Sequence, residues 1–274
     1  MKADNPLSES QFEYILSEAV REARRTLVAR RFIGLWGPLG AGIECVGLEN
    51  YGPDRDGEIE LVGKHDPDPI TGERSTYLRV PILYKDFVIH WRDLSLANQL
   101  GSPLDASRAI RAAHFVADRE DQLIFNGEKR FKLEGLLNAS GRNTIKRSDW
   151  NDYGNAYRDV VKATEVLLGH NHHRPFALAV SAKDYAQLIQ QREAQYAPEI
   201  ESIRHLCDDG VYTSPTIPDG KAVVLSTGDQ NVDITLTEDL SMTYLGEQDQ
   251  DFPFRLYECL VLRIKRPKAI CTIE

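Results

Sequence analysis

Residues 58–91 constrain this chain more than any other stretch, because they describe an element that cannot stand alone. Glu58-Ile59-Glu60-Leu61-Val62 reads as one extended run, and residues 77–91, rich in β-branched and aromatic side chains, read as a second. Between them lies a polar turn over 64–73, punctuated by Asp66-Pro67-Asp68-Pro69 and Thr71-Gly72. Two strands and a long turn with little beside them make a hairpin arm. An isolated hairpin is barely stable in water, so the arm is expected to pack on a neighbouring subunit.

The rest reads as ordinary domain material. Ser8-Glu9-Ser10-Gln11 fits a capping box, in which the serine and glutamine side chains satisfy each other's orphan backbone donors. Phe12, Ile15, Leu16, Ala19, Val20, Ala23 and Leu27 follow at helical spacing, with Glu13, Glu18, Arg21, Glu22, Arg24 and Arg25 opposite them. This helix buries one stripe against something larger. The segment Gly34-Leu35-Trp36-Gly37-Pro38-Leu39-Gly40-Ala41-Gly42 is a glycine-rich bend and not a helix interior. A second long helix is expected over 103–126, capped by Asp105 and stopped by a left-handed Gly127. Ala106, Ile110, Ala113, Ala117 and Ile124 track one of its faces.

Over 136–226, helical runs at 153–168, 182–192 and 198–207 alternate with strands at 176–180 and 222–225, the pattern of a compact α/β subdomain. After Gly228 the chain is mostly strand: two short ones at 232–236 and 242–245, then a long one. In the long one Phe254, Leu256, Leu260, Leu262 and Ile264 alternate with Arg255, Tyr257, Val261, Arg263 and Lys265.

Several function classes are disfavoured by the same residues. The 42 acidic side chains outnumber the 33 basic ones, for a formal net charge of −9. Phosphate contacts supply most nucleic-acid affinity and need a basic surface, so no nucleic-acid partner is expected. Cys45, Cys207, Cys259 and Cys271 form no C-x-x-C pair and read as reduced structural thiols of a cytosolic protein. Residues 1–10 lack the apolar core of a signal peptide, and no apolar run is long enough to cross a bilayer. A cytoplasmic location without a membrane partner is the expectation. The glycine bend lacks the lysine of a phosphate loop, and no G-x-S-x-G elbow marks a hydrolase. His170, His172 and His173 lie in one turn without cysteine or carboxylate help, which reads as a solvated loop and not a metal site. Asp208-Asp209, Asp54/Asp56 and Glu247/Asp249/Asp251 sit beside glycine or proline in polar turns and read as surface charges. The expectation is therefore no enzyme, with no catalytic residue, metal or cofactor.

Four stretches carry a resemblance. They are Arg30-Arg31-Phe32-Ile33-Gly34-Leu35-Trp36-Gly37-Pro38-Leu39-Gly40; Glu120-Asp121-Gln122-Leu123-Ile124-Phe125-Asn126-Gly127, followed by Gly135-Leu136-Leu137; Glu238-Asp239-Leu240-Ser241-Met242-Thr243-Tyr244; and the strand 255–264. In this order they resemble the encapsulin shell proteins (family 1, the linocin-like bacteriocin family), and the likeness covers nearly the whole chain. It implies an α+β chain with the tailed-bacteriophage major capsid (Hong Kong 97-type) fold. The peripheral domain would take 1–46, 91–135 and 227–274, the extended loop 47–90, and the axial domain 136–226.

The resemblance also implies a homo-oligomeric, sixty-subunit icosahedral shell around a cargo enzyme, either a ferritin-like iron oxidase or a dye-decolourising peroxidase. The cargo's short C-terminal peptide would dock on positions that match Arg30, Phe32, Asp239, Leu240 and Met242. Gly34 departs from the acidic residue several members carry there. A five-fold pore loop would include Arg192, Glu193, Gln195, Tyr196 and Glu199, with the glutamates favouring cations. Some members bind flavin at a tryptophan matching Trp91, but the arginine expected nearby is Leu83, so Trp91 is read as a packing residue of the arm. The competing readings are a phage-type capsid subunit packaging DNA, which the acidic balance disfavours, and a secreted bacteriocin or hydrolase, which lacks a catalytic constellation.

Overall fold

The computed structural model describes residues 5–51, 59, 61–63, 69–70, 72–191 and 197–274. In chain order the elements are α1 (Glu9–Thr26), β1 (Gly34–Trp36), β2 (Cys45–Tyr51), β3 (Gly72–Arg79), β4 (Ile82–Ile89), α2 (Trp91–Leu100) and α3 (Ser107–Asn126). The middle of the chain gives β5 (Asn143–Ile145), α4 (Asn155–Gly169), β6 (Phe176–Val180), α5 (Ala182–Ile189), α6 (Glu199–Leu206), β7 (Val211–Thr213) and β8 (Ala222–Ser226). The chain closes with β9 (Val232–Tyr244), β10 (Phe252–Ile264) and β11 (Ile270–Ile273).

The capping box forms as its sequence requires: the Ser8 hydroxyl accepts from Gln11 N–H, and the Gln11 side chain accepts from Ser8 N–H. Ile15, Ala19 and Ala23 of α1 are buried against α3, whose seam is lined by Ala109, Ala112, Ala113 and Ala117. Alanines on both sides let the two helices approach closely. The cap of α3 needs correction: its N-cap position is Ala106, one residue later than expected, and Asp105 Oδ1 instead accepts from the N–H and hydroxyl of Ser107.

Two sheets organise the core. One has the strand order β1-β9-β10-β4, and α1 and α3 pack on it. The other has the order β5-β11-β8-β6-β7. Its inner strands β6, β8 and β11 are buried at every position, as continuous apolar runs predict for strands covered on both faces. Alternate residues serve different cores. Ala177, Ala179, Val223, Leu225 and Ile270 join the core beneath α1 and α3, while Phe176, Leu178, Val180, Ala222, Val224, Cys271 and Ile273 join a second core under α4. This period of two makes the second sheet a shared wall.

Several sequence expectations need correction. The hairpin exists, but its outgoing strand is β2 and not 58–62; β2 pairs with β3 from Cys45–Arg79 to Tyr51–Gly72. Ile59, Leu61 and Val62 lie in no strand, and positions 58 and 60 fall outside the described residues. The run 77–91 breaks at Pro81, and β4 leaves the arm to pair with β10, Ile89 opposite Phe252. Proline cannot donate to a ladder, and that was the signal of the break. Trp91 opens α2 and so is not part of an arm strand. The two short strands after Gly228 are one, β9, whose register on β10 is interrupted between Glu238 and Ser241. The last strand, β11, sits between β5 and β8, so segment 227–274 supplies both sheets.

The end of α3 depends on two glycines. Gly127 has φ +68°, and a Cβ on Gly135 would lie 2.4 Å from Gly127 N and 2.6 Å from Phe125 C. Backbone atoms cannot move aside, so Gly135→Ala is expected to cost about 1–3 kcal/mol as overpacking, read as a lowered thermal midpoint.

Candidate functional site

Arg30 leaves a single 3-10 turn (Ala29–Arg31) just after α1 and enters the seam between α3 and the first sheet. Its guanidinium grips Glu120 of α3 with both arms, Nε to Oε1 at 2.7 Å and Nη2 to Oε2 at 2.6 Å. Nη2 also donates to Glu258 Oε2 of β10 at 2.8 Å, and Nη1 to Asp239 Oδ1 of β9 at 3.1 Å. Glu120 and Glu258 are buried, whereas the Asp239 side chain is 63% exposed. One cation therefore ties three elements together, with only one of its anions in water.

Directly behind it, the Asp121 carboxylate accepts from Val28 N and Ala29 N, both at 3.0 Å, and fixes the exit from α1. Burial pushes the Asp121 carboxyl up to about 7, against the opposing pull of the Ala29 N–H. Burial, then the neighbouring Glu120 charge, holds the Glu258 carboxyl well above the usual carboxylate range, against the pull of Arg30.

Sequence reasoning missed Glu120, Asp121 and Glu258 as a cluster. The signal was their phase: Glu120 and Asp121 fall inside the buried stripe of α3, and Glu258 occupies the inward position between Leu256 and Leu260.

The five expected docking residues divide by exposure. Arg30 and Asp239 are joined directly. Leu240, half-buried, packs on Ala23 of α1, on Leu27 just after that helix and on Ala117 of α3. Phe32 and Met242 are buried; the Phe32 ring stacks on Tyr212 with centroids 5.0 Å apart, and Met242 sits opposite Leu256. On the flank of α1, Glu13, Leu16, Ser17, Val20, Arg21 and Arg24 line a shallow groove. Leu16 and Val20 are only half-buried: the apolar stripe of α1 is wider than the seam that covers it. At Gly34 a Cβ would fall 1.9 Å from Asp229 Oδ1, so the Asp229 carboxylate fills the space a side chain there would take.

Other candidates resolve differently. Glu199 is buried, and its Oε1 accepts from Tyr157 N at 2.6 Å, capping α4 where Gly154 has no side chain to do so. Arg192, Glu193, Gln195 and Tyr196 lie outside the described residues. The Trp91 ring is partly exposed with the Arg92 guanidinium 5.4 Å from its centroid, and Leu83 is buried in the core. The histidine turn is not uniformly solvated: His172 is buried, while His170 Nδ1 meets Val166 O and His173 Nε2 meets Asn171 Oδ1. Among the described residues no three His, Cys, Asp or Glu side chains converge to hold a metal, and no helix is long and apolar enough to cross a membrane.

With this geometry in place, comparison with known proteins is informative. The family model for the encapsulating protein for peroxidase matches residues 1–261. A type 1 encapsulin shell protein of Myxococcus xanthus is 39% identical, covering 99% of this chain and 95% of that relative. A diheme-cytochrome–encapsulin shell fusion protein of Kuenenia stuttgartiensis is 38% identical over 94% of this chain and 71% of the relative. A ferritin-like–encapsulin shell fusion protein of Pyrococcus furiosus is 23% identical over 76% of this chain and 56% of its own length. Among solved structures, a virus-like particle from Pyrococcus furiosus superposes with TM-score 0.78 at 20% identity, covering 97% and 100% of the two chains. The capsid of Myoviridae phage XM1 follows the same fold with TM-score 0.60 at 14% identity, covering 88% of each.

Two outcomes are expected. Arg30→Met leaves two buried carboxylates without their cation and costs about 3–5 kcal/mol in denaturant unfolding. Asp121 holds a proton in the folded state that the unfolded chain has released, so its contribution is fully present below about pH 4 and is lost as pH rises to about 7. Stability measured across that window falls in the parent chain and falls less steeply in Asp121→Asn.

Proposed function

Because the chain belongs to the encapsulin shell-protein family, we propose that it closes into a cytoplasmic, sixty-subunit icosahedral shell around an enzyme held by that enzyme's C-terminal peptide. The chain is the shell subunit of a nanocompartment, with a structural and not a catalytic role. A peroxidase cargo is supported by the family's description, and a ferritin-like iron oxidase by the fusion relative that carries such a domain. The observation that carries the docking reading is the half-covered groove on α1, which adjoins the seam holding Leu240 and the exposed Asp239. A shallow apolar groove with charges at its rim suits an extended peptide, which brings its own backbone order and needs only a few anchors. Arg30, Phe32 and Met242 support this surface from below, where they fix β9 and the exit from α1. The proposed pore loop comprises Arg192, Glu193, Gln195, Tyr196 and Glu199, with Glu193 and Glu199 as the acids that would favour cations.

The test is co-expression of the shell with a reporter carrying the C-terminal peptide of a neighbouring cargo gene. Leu16→Asp and Val20→Asp are expected to lower co-purified reporter at least about tenfold, since each places a charge where apolar contact is made, with particles of unchanged diameter. Unchanged loading in both variants contradicts the docking site.

A further inference from the structure

The seam around Arg30 has one cation for three carboxylates, and their environments differ. Glu120 and Glu258 are closed off from water, with Glu258 Oε1 reached by no donor among the described residues and the Glu120 carboxylate beside Glu258, while Asp239 reaches solvent. We propose that Glu258 is a proton-operated positioning residue: neutral, it leaves Arg30 free to hold Asp239 against the seam; ionised, it draws Arg30 inward and lets Asp239 go.

The groups facing Glu258 set the direction. From α3 comes Glu120, with Asp121 behind it; from the turn after α1, Arg30; from β9, Asp239 and Glu238; from its own strand, Cys259; β4 places Leu83 opposite. Of these, only Arg30 is a cation. When Glu258 loses its proton, three anions share one guanidinium. A buried carboxylate without a partner is costly, whereas an exposed one regains water at little cost. Asp239 is therefore the partner that leaves. Its Oδ1 also accepts from Leu240 N at 2.9 Å, at the point where the β9 register is interrupted, so its release loosens residues 239–240, which have no register partner on β10. If the docking reading above is right, the same event alters the rim of the cargo groove; the release itself does not depend on that reading.

Hydrogen–deuterium exchange of the peptide spanning 238–241 in assembled, cargo-free shells tests the switch, after correction for intrinsic rates, from pH 5 to 9. Protection is expected to fall about tenfold across the range in the parent chain and to stay flat in Glu258→Gln. Glu120→Gln removes the nearest anion from Glu258, whose charge opposes ionisation, and is expected to move the transition to lower pH. That shift serves as the second readout should Glu258→Gln fail to assemble. A flat profile in the parent chain, or a transition unmoved by Glu120→Gln, overturns the proposal. Cargo-peptide affinity measured in parallel separates the two readings: a switch in exchange without a change in affinity removes the link to docking and leaves the switch standing.

Discussion

The Arg30 guanidinium is the interaction on which the rest of the seam depends. It joins the exit from α1, the middle of α3 and the β9–β10 pair, and without it two buried carboxylates face each other in a low-dielectric space. Hydrophobic burial alone could bring these elements together, since α1, α3 and the first sheet all carry apolar faces. It would not fix their register as tightly. A bidentate grip at 2.6–2.7 Å on Glu120 sets the position of α3 relative to the turn at residues 29–31 to within the tolerance of a hydrogen bond.

A second constraint follows from how the cores share a wall. Because alternate residues of β6, β8 and β11 face different cores, neither half of the chain closes without the other. The terminal strand β11, inserted between β5 and β8, crosses from the first sheet into the second and locks the two together. The β2–β3 hairpin is anchored to this unit at its base, where Val46 is buried in the core and Leu78 packs against it, while Tyr77 is exposed.

Much of this was legible in the sequence. The capping box at Ser8, the stripe of α1, the stop at Gly127 and the β6 boundaries were all readable from local chemistry, because each rests on interactions within a few residues. The arm strands were misplaced because the β-branched and aromatic run continues across the end of β3 into β4, and only Pro81 marks where the chain changes partner. The destination of β11 was not readable, since so short a run, Ile270 to Ile273, fits either sheet. At the site, the exposed Asp239 and the half-buried Leu240 were reached through resemblance, but the buried acids that hold Arg30, Glu120 and Glu258, were overlooked. Buried acids announce themselves only through phase within an apolar pattern, and Glu258 was passed over as a gap in an alternation. The contact that Glu199 makes was equally hidden, because it caps a helix more than forty residues away in the chain.

The most direct test of the account is electron microscopy of the purified chain together with size-exclusion chromatography. The account predicts uniform hollow particles that elute in the void volume, with a diameter set by sixty copies. A soluble monomer or dimer that remains so at high protein concentration would contradict it.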